Sequence, residues 1–305
     1  MKLSEAVALF YLSMQTVRAP ATIAWYHKKL DSLIDYLQDP EIDTIDQISL
    51  ERFRATLDRP TMAKGRGGKV SRYTVHGYVR AIKRFFNYCR FRRIIKEDPA
   101  QFLEKPKLPK QPRKGILPED ARKMLRIAEE ESKRDYAMLL FFRDTGCRAG
   151  GVYNLLTEDL DIEHNTAIIH EKGDKERIVF YTPETAYALA TYLIWRENPL
   201  DLPYCFLAES GHGHTPTPLT YDGVYGIFKR LARKAEVKGK FSPHNWRHAA
   251  VRAWLKAGMN LKSASEIAGH SSEKVTGDIY GTLDETELHA LYNRTVEILA
   301  RQGDS

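Results

Sequence analysis

The chain has 305 residues, 43% of them hydrophobic, enough to bury one large core or two modest ones, and its length points to two domains. Lys and Arg number 47 against 40 Asp and Glu, a formal charge of +7 that suits an anionic partner such as nucleic acid. Cys89, Cys147 and Cys205 are far apart and lack CxxC spacing, which excludes a disulfide framework and a cysteine metal cluster. No apolar run approaches the roughly 20 residues of a membrane span, and the start MKLSEAVALFYLSMQ carries Glu5 and lacks a signal-peptide cleavage pattern, so a cytoplasmic protein with no membrane contact is expected.

In chain order, Ile23, Tyr26, Leu30, Ile34 and Leu37 recur at helical spacing and predict a helix over 21–37, followed by a second over 49–57. A third begins at Ser71, a suitable N-cap, and runs towards Arg90 with Val75, Tyr78, Val79, Ile82, Phe85 and Phe86 on one stripe. Between Pro60 and Lys96 there is no acidic residue. Lys64, Arg66, Lys69, Arg72, Arg80, Lys83 and Arg84 fall in that span and are candidate DNA-phosphate contacts, because solvated helix faces usually mix signs. Lys64-Gly-Arg-Gly-Gly-Lys69 lacks the GK[ST] ending of a nucleotide-binding loop and reads as a flexible basic loop. Pro106, Pro109 and Pro112 in a basic stretch then forbid a helix. The expected division is an all-α DNA-binding domain over 1–104, a linker over 105–115 and a mixed domain over 116–305, the last mainly helical with a small antiparallel β-sheet.

In that second domain helices are expected over 118–131 and 133–144, the second stopping at Thr145-Gly146. A strand near 160–163 and two more over 167–170 and 177–181, with the polar turn 171–176 between them, make the sheet. Helical patterns return over 184–195, 219–235, 244–257 and 261–268.

Four segments carry chemistry. Thr145-Gly-Cys-Arg-Ala-Gly-Gly-Val152 places Arg148 between a helix stop and an apolar run, where an anchored guanidinium can grip a phosphate through two hydrogen bonds. Glu171-Lys-Gly-Asp-Lys-Glu-Arg177 puts Lys172 on a hairpin turn, where an ammonium can give a proton to a leaving oxygen; Lys175 is the competing lysine. Ser242-Pro-His-Asn-Trp-Arg-His248 sets His244 and Arg247 three residues apart at a helix N-terminus, a phosphate site with proton-transfer capacity, while His248 supports the core. His244 and His248 have the spacing of a metal pair, but HExxH and a nearby carboxylate ligand are lacking, so no metal is expected. Ala268-Gly-His270 then stops a helix ahead of Tyr280, a phenol that attacks phosphorus only if neighbouring cations and a base favour its phenolate.

In this order, TGCRAGG, EKGDKER, HNWRH and AGH followed by Tyr280 resemble the tyrosine recombinase, or phage integrase, family, and its Xer-type members above all. The resemblance covers nearly the whole chain. It implies that Arg148 and Arg247 clamp the scissile phosphate, that Lys172 protonates the leaving 5′ hydroxyl, that His244 and His270 assist, and that Tyr280 is the nucleophile, with no cofactor. Two departures stand out: Gly151 occupies a position that is commonly acidic in the family, and the interval from His270 to Tyr280 is one residue longer than usual. Tyr292 is the fallback nucleophile, although it falls on the apolar stripe Leu288, Leu291, Tyr292, Val296 and Leu299. The implied partners are double-stranded DNA and further copies of the chain, a tetramer on DNA joined through residues 286–300. A type IB topoisomerase and a catalytically silent DNA-binding protein are the competing readings.

Overall fold

A computed structural model describes residues 1–18, 20–57, 70–109, 115–171, 175–208 and 215–269, together with Gly277, Thr286, His289, Tyr292 and Asn293. The chain divides into two compact units, Met1–Gln111 and Pro112–Ser305, each with its own core.

The first unit holds four α-helices among the described residues: α1 (Leu3–Gln15), α2 (Pro20–Leu37), α3 (Gln47–Leu57) and α4 (Arg72–Phe91). Helix α1 forms where sequence reading looked only for a leader. Its buried residues Leu3, Ala6, Val7, Phe10, Tyr11 and Met14 repeat at three and four, so one stripe faces the core, where Phe10 packs edge-on against Tyr26 and Phe85. Helix α4 buries Val75, Val79, Ala81, Ile82, Phe85, Phe86 and Cys89, and Ser71 caps it by accepting from the Thr74 amide.

The second unit begins with α5 (Pro118–Glu131), α6 (Lys133–Thr145) and the short α7 (Ala149–Tyr153). A three-stranded antiparallel meander follows, β1 (Leu160–Asp161), β2 (Thr166–Glu171) and β3 (Lys175–Phe180), in the order β1-β2-β3. Its ladder runs from Thr166 opposite Phe180 to Glu171 opposite Lys175. The strands therefore extend into the stretch that composition marks as a turn, leaving three linking residues, 172–174. Backbone pairing overrides side-chain polarity here, and His170 opposite Glu176 makes a cross-strand ion pair at 3.2 Å. Helix α8 (Pro183–Trp195), a two-stranded pair β4 (Leu207–Ala208) and β5 (Thr217–Pro218), and α9 (Tyr221–Lys234), α10 (Pro243–Lys256) and α11 (Leu261–Ala268) complete the described elements.

Helix α6 is the spine of this unit. Ala137, Met138, Leu139, Leu140, Phe141 and Phe142 are all buried, so it is enclosed on every side. Its C-terminus is tied to α8: the Asp144 carboxylate accepts from the Thr182 amide, the Thr182 hydroxyl and the Thr185 hydroxyl, and pairs with Arg143 at 2.7 Å. Among the described residues no helix is long and apolar enough to cross a membrane.

Candidate active site

The segment carrying Arg148 is set by a helix stop. Helix α6 ends at Gly146 in the left-handed conformation (φ 56°), and a β-carbon there would lie 3.1 Å from Trp254, so both backbone and space call for glycine. Thr145 turns its hydroxyl back to the Phe141 carbonyl (2.6 Å) and Cys147 is fully buried, which fixes the approach to Arg148, the N-cap residue of α7.

Helix α10 carries the second arginine. Ser242 and Asn245 form a reciprocal capping box, Pro243 occupies the first turn, and Trp246 anchors the helix in the core edge-on to Phe228. Sequence spacing places His244 and Arg247 on one face, but the structure separates their environments. Arg247 is 2% exposed, and its Nη1 donates to the Gly146 carbonyl at 2.7 Å. His244 is exposed and meets His248, itself buried, with ring centroids 4.2 Å apart. Among the described residues no three His, Cys, Asp or Glu side chains form a metal-sized cluster.

Helix α11 supplies the third element. It stops at Gly269, also left-handed (φ 66°), and the Gly269 carbonyl accepts from Nη2 of Arg148 at 2.7 Å. Both arginines are thus tied to one backbone segment, Arg247 by its bond to Gly146 and Arg148 by lying two residues later, with the residue before His270 bonded to Arg148. Arg148 is exposed. Lys172, His270 and Tyr280 lie outside the described residues, and Lys175 enters the description through its backbone alone. Tyr292, the fallback nucleophile, is 67% exposed.

Arg177, the last residue of EKGDKER, carries no functional signal in its local spacing. On β3 it opposes Ile169, and its half-buried guanidinium donates to the Ile267 carbonyl in the last turn of α11 and to Cys147 Sγ (3.5 Å). Local spacing likewise gives no sign of the consequence of Gly151. A β-carbon there would stand 2.6 Å from Cγ2 of Ile169, so α7 packs directly on β2 and the space that a carboxylate would need is filled.

In the first unit the basic candidates differ from one another. Arg72, Arg80 and Arg84 are exposed on α4, and Arg80 stacks over Trp25 at 4.6 Å. Lys83 instead donates to the Gln101 (2.7 Å) and Leu103 (3.1 Å) carbonyls, tying α4 to the following chain. Lys64, Arg66 and Lys69 lie outside the described residues.

A family model described as the phage integrase family matches residues 114–287, more than half of the chain. The chain belongs to the phage integrase family. Tyrosine recombinase XerC of Bacillus pumilus is 26% identical to this integrase-family chain over 294 residues, 92% of each. XerC of Chlamydia caviae is 33% identical over 210 residues, 67% of this chain and 65% of that protein. Among solved structures, the Tn1549 transposon integrase in complex with transposon right end DNA aligns with a TM-score of 0.75 at 19% identity, over 97% of this chain and 100% of that one. The fold is that of a tyrosine recombinase, and the curated relatives identify this phage integrase family member as a Xer-like enzyme.

Proposed function

We propose that this tyrosine recombinase breaks and rejoins double-stranded DNA at specific sites through a 3′-phosphotyrosine bond to Tyr280. The observation that carries the reading is the bonded chain Arg247–Gly146 and Arg148–Gly269, which gathers the TGCR turn, the HNWRH helix and the AGH helix stop into one cluster. Two guanidiniums anchored to neighbouring stretches of one cluster are suited to the non-bridging oxygens of a phosphate, whose charge rises as a fifth oxygen approaches. Arg148 already stands at the surface. Arg247 is 2% exposed, so its contact with a phosphate requires the groups covering it to shift as DNA enters.

In this reading the Tyr280 oxygen bonds to phosphorus as the bond to the 5′ oxygen breaks, and Lys172 supplies the proton that leaves with that oxygen. A 5′ hydroxyl from a second duplex reverses the step, so the phosphodiester energy is kept. His244 and His270 hold the phosphate and shuttle protons. The exposed arginines Arg72, Arg80 and Arg84, with Lys64, Arg66, Lys69 and Lys175, contact phosphates along the duplex. Residues 1–104 act as the DNA-gripping domain and residues 116–305 as the catalytic one, joined by the proline-rich linker 105–115. Four copies assemble on two duplexes through residues 286–300, in a head-to-tail ring.

The test begins with duplexes selected from a random library by mobility shift, rebuilt with a nick that traps the cleaved state. The expected outcome is a covalent protein–DNA adduct in EDTA, absent in Tyr280→Phe, which still shifts the duplex. A shift with no adduct from the native chain means a silent binder, and relaxation of supercoils without exchanged strands means a topoisomerase. Loss of the adduct in Tyr292→Phe, with Tyr280→Phe active, moves the nucleophile to Tyr292.

A further inference from the structure

We infer that Arg177 is a positioning residue that sets the β2–β3 hairpin, and with it Lys172, at the phosphate site; the inference rests on the function proposed above. Antiparallel pairing puts side chains of opposed residues on one face, and here the inward face carries Ala167 with Val179, then Ile169 with Arg177. The first pair is buried and apolar. At the second, Ile169 abuts Gly151 of α7, and the Arg177 guanidinium reaches the Ile267 carbonyl and Cys147. Together with His170, which pairs with Asp159 at 3.0 Å, this pair of residues ties the described end of the hairpin back into the unit.

Each of these Arg177 contacts lands next to a phosphate-site element. Cys147 immediately precedes Arg148, and Ile267 lies two residues before Gly269, the carbonyl that Arg148 grips. Burial pushes the Cys147 thiol up, so the sulfur is a neutral, weak acceptor and the Ile267 carbonyl is the stronger partner. A guanidinium bonds both from one rigid plane, whereas an ammonium has donors but no such fixed fork. Arg177 stands five residues after Lys172 on the same hairpin and bonds the chain that flanks the phosphate site, so its effect on the reaction passes through the hairpin.

The consequence is specific: loss of Arg177 should impair delivery of the proton to the leaving oxygen more than attack by the nucleophile. A substrate with sulfur in place of the bridging 5′ oxygen separates these, because a thiolate leaves without protonation. The variants are Arg177→Met, which keeps an apolar stem, and Arg177→Lys, which keeps the charge, with Lys172→Ala as the control. Single-turnover cleavage of the oxygen substrate is expected to fall by about 30-fold or more in both Arg177 variants, at unchanged duplex affinity. On the sulfur substrate both should return to within about threefold of the native rate, as should Lys172→Ala. If Lys172→Ala recovers and the Arg177 variants do not, Arg177 acts elsewhere and the inference fails. If Lys172→Ala does not recover, the acid is another group and the reading of Lys172 falls first. If neither Arg177 variant binds DNA, the residue serves folding alone, which also overturns the inference.

Discussion

Cγ2 of Ile169 occupies the place where a side chain at Gly151 would begin, 2.6 Å from an ideal β-carbon. A side chain at position 151 would therefore crowd β2, against which α7 packs closely, while Arg148 is held by the Gly269 carbonyl. Gly151→Ala should destabilise the second unit by about 1–3 kcal/mol through overpacking. Thermal melting reads this as a fall of about 2–4 °C per kcal/mol. Ile169→Ala opens the same space, so the double variant should melt higher than the sum of the two single losses predicts. Additive losses would show that the contact relaxes elsewhere.

Lys83 and Arg84 are neighbours on α4 with different fates. Lys83 is committed to two carbonyls, whereas Arg84 is exposed. Each phosphate neutralised adds about 0.9 to the slope of log affinity against log salt. Arg84→Ala should lower that slope by about 1, and Lys83→Ala by less than half as much while lowering the melting temperature of the first unit. Equal slope changes would place both ammonium and guanidinium on the DNA.

Asp144 joins α6 to the start of α8, and its carboxyl is held below its ordinary value. Burial pushes it up, but the hydrogen bonds from Arg143, Thr185 and Thr182 outweigh burial. A lowered folded value means that the contribution is fully present above the unfolded carboxyl range and disappears as pH falls through the folded value. Asp144→Asn should cost about 1–3 kcal/mol at neutral pH. Chemical denaturation should show this gap closing below about pH 4, and a gap constant with pH would contradict the assignment.

His170 behaves in the opposite sense. The Asp159 carboxylate, 3.0 Å away, and Glu176 hold its imidazolium above the ordinary histidine value despite slight burial. Here the stabilisation is present at pH below the unfolded value and vanishes as pH rises through the folded one. His170→Gln should melt below the native protein at about pH 6 and match it near pH 8.5, the effect being modest because the side chain is 43% exposed. A proton NMR titration of His170 with a midpoint at or below the unperturbed value would refute it.

Much of this was legible in the sequence because strong periodicity survives tertiary context. The stripe of α4, the stop at Gly146 and the N-terminus of α10 were all written in residue spacing. Helix α7 has five residues, too few to show a helical period, and the ladder residues Glu171, Lys175 and Glu176 look like a turn because backbone pairing leaves no trace in polarity. Arg177 escaped notice for a subtler reason. Ile168, Ile178 and Phe180 give the outer face of the hairpin as much apolar character as the inner one, so alternation does not reveal which side is buried. The burial of Arg247 beside an exposed His244 depends on the distant Gly146 carbonyl, which no local spacing encodes.

That difference in burial separates the two arginines experimentally. Arg148→Lys alters an exposed group, whereas Arg247→Lys removes a planar donor from a site where the Gly146 carbonyl is its acceptor. If both guanidiniums stabilise the transition state, each variant should slow covalent cleavage by about 100-fold or more while still shifting the duplex. Only Arg247→Lys should also lose stability, by about 1.5–3 kcal/mol, because it leaves a buried carbonyl poorly matched. Single-turnover cleavage and melting on the same preparations decide the matter. An Arg247→Lys protein that melts lower yet cleaves within about threefold of the native rate would confine Arg247 to holding the TGCR turn, and the phosphate clamp would rest on Arg148.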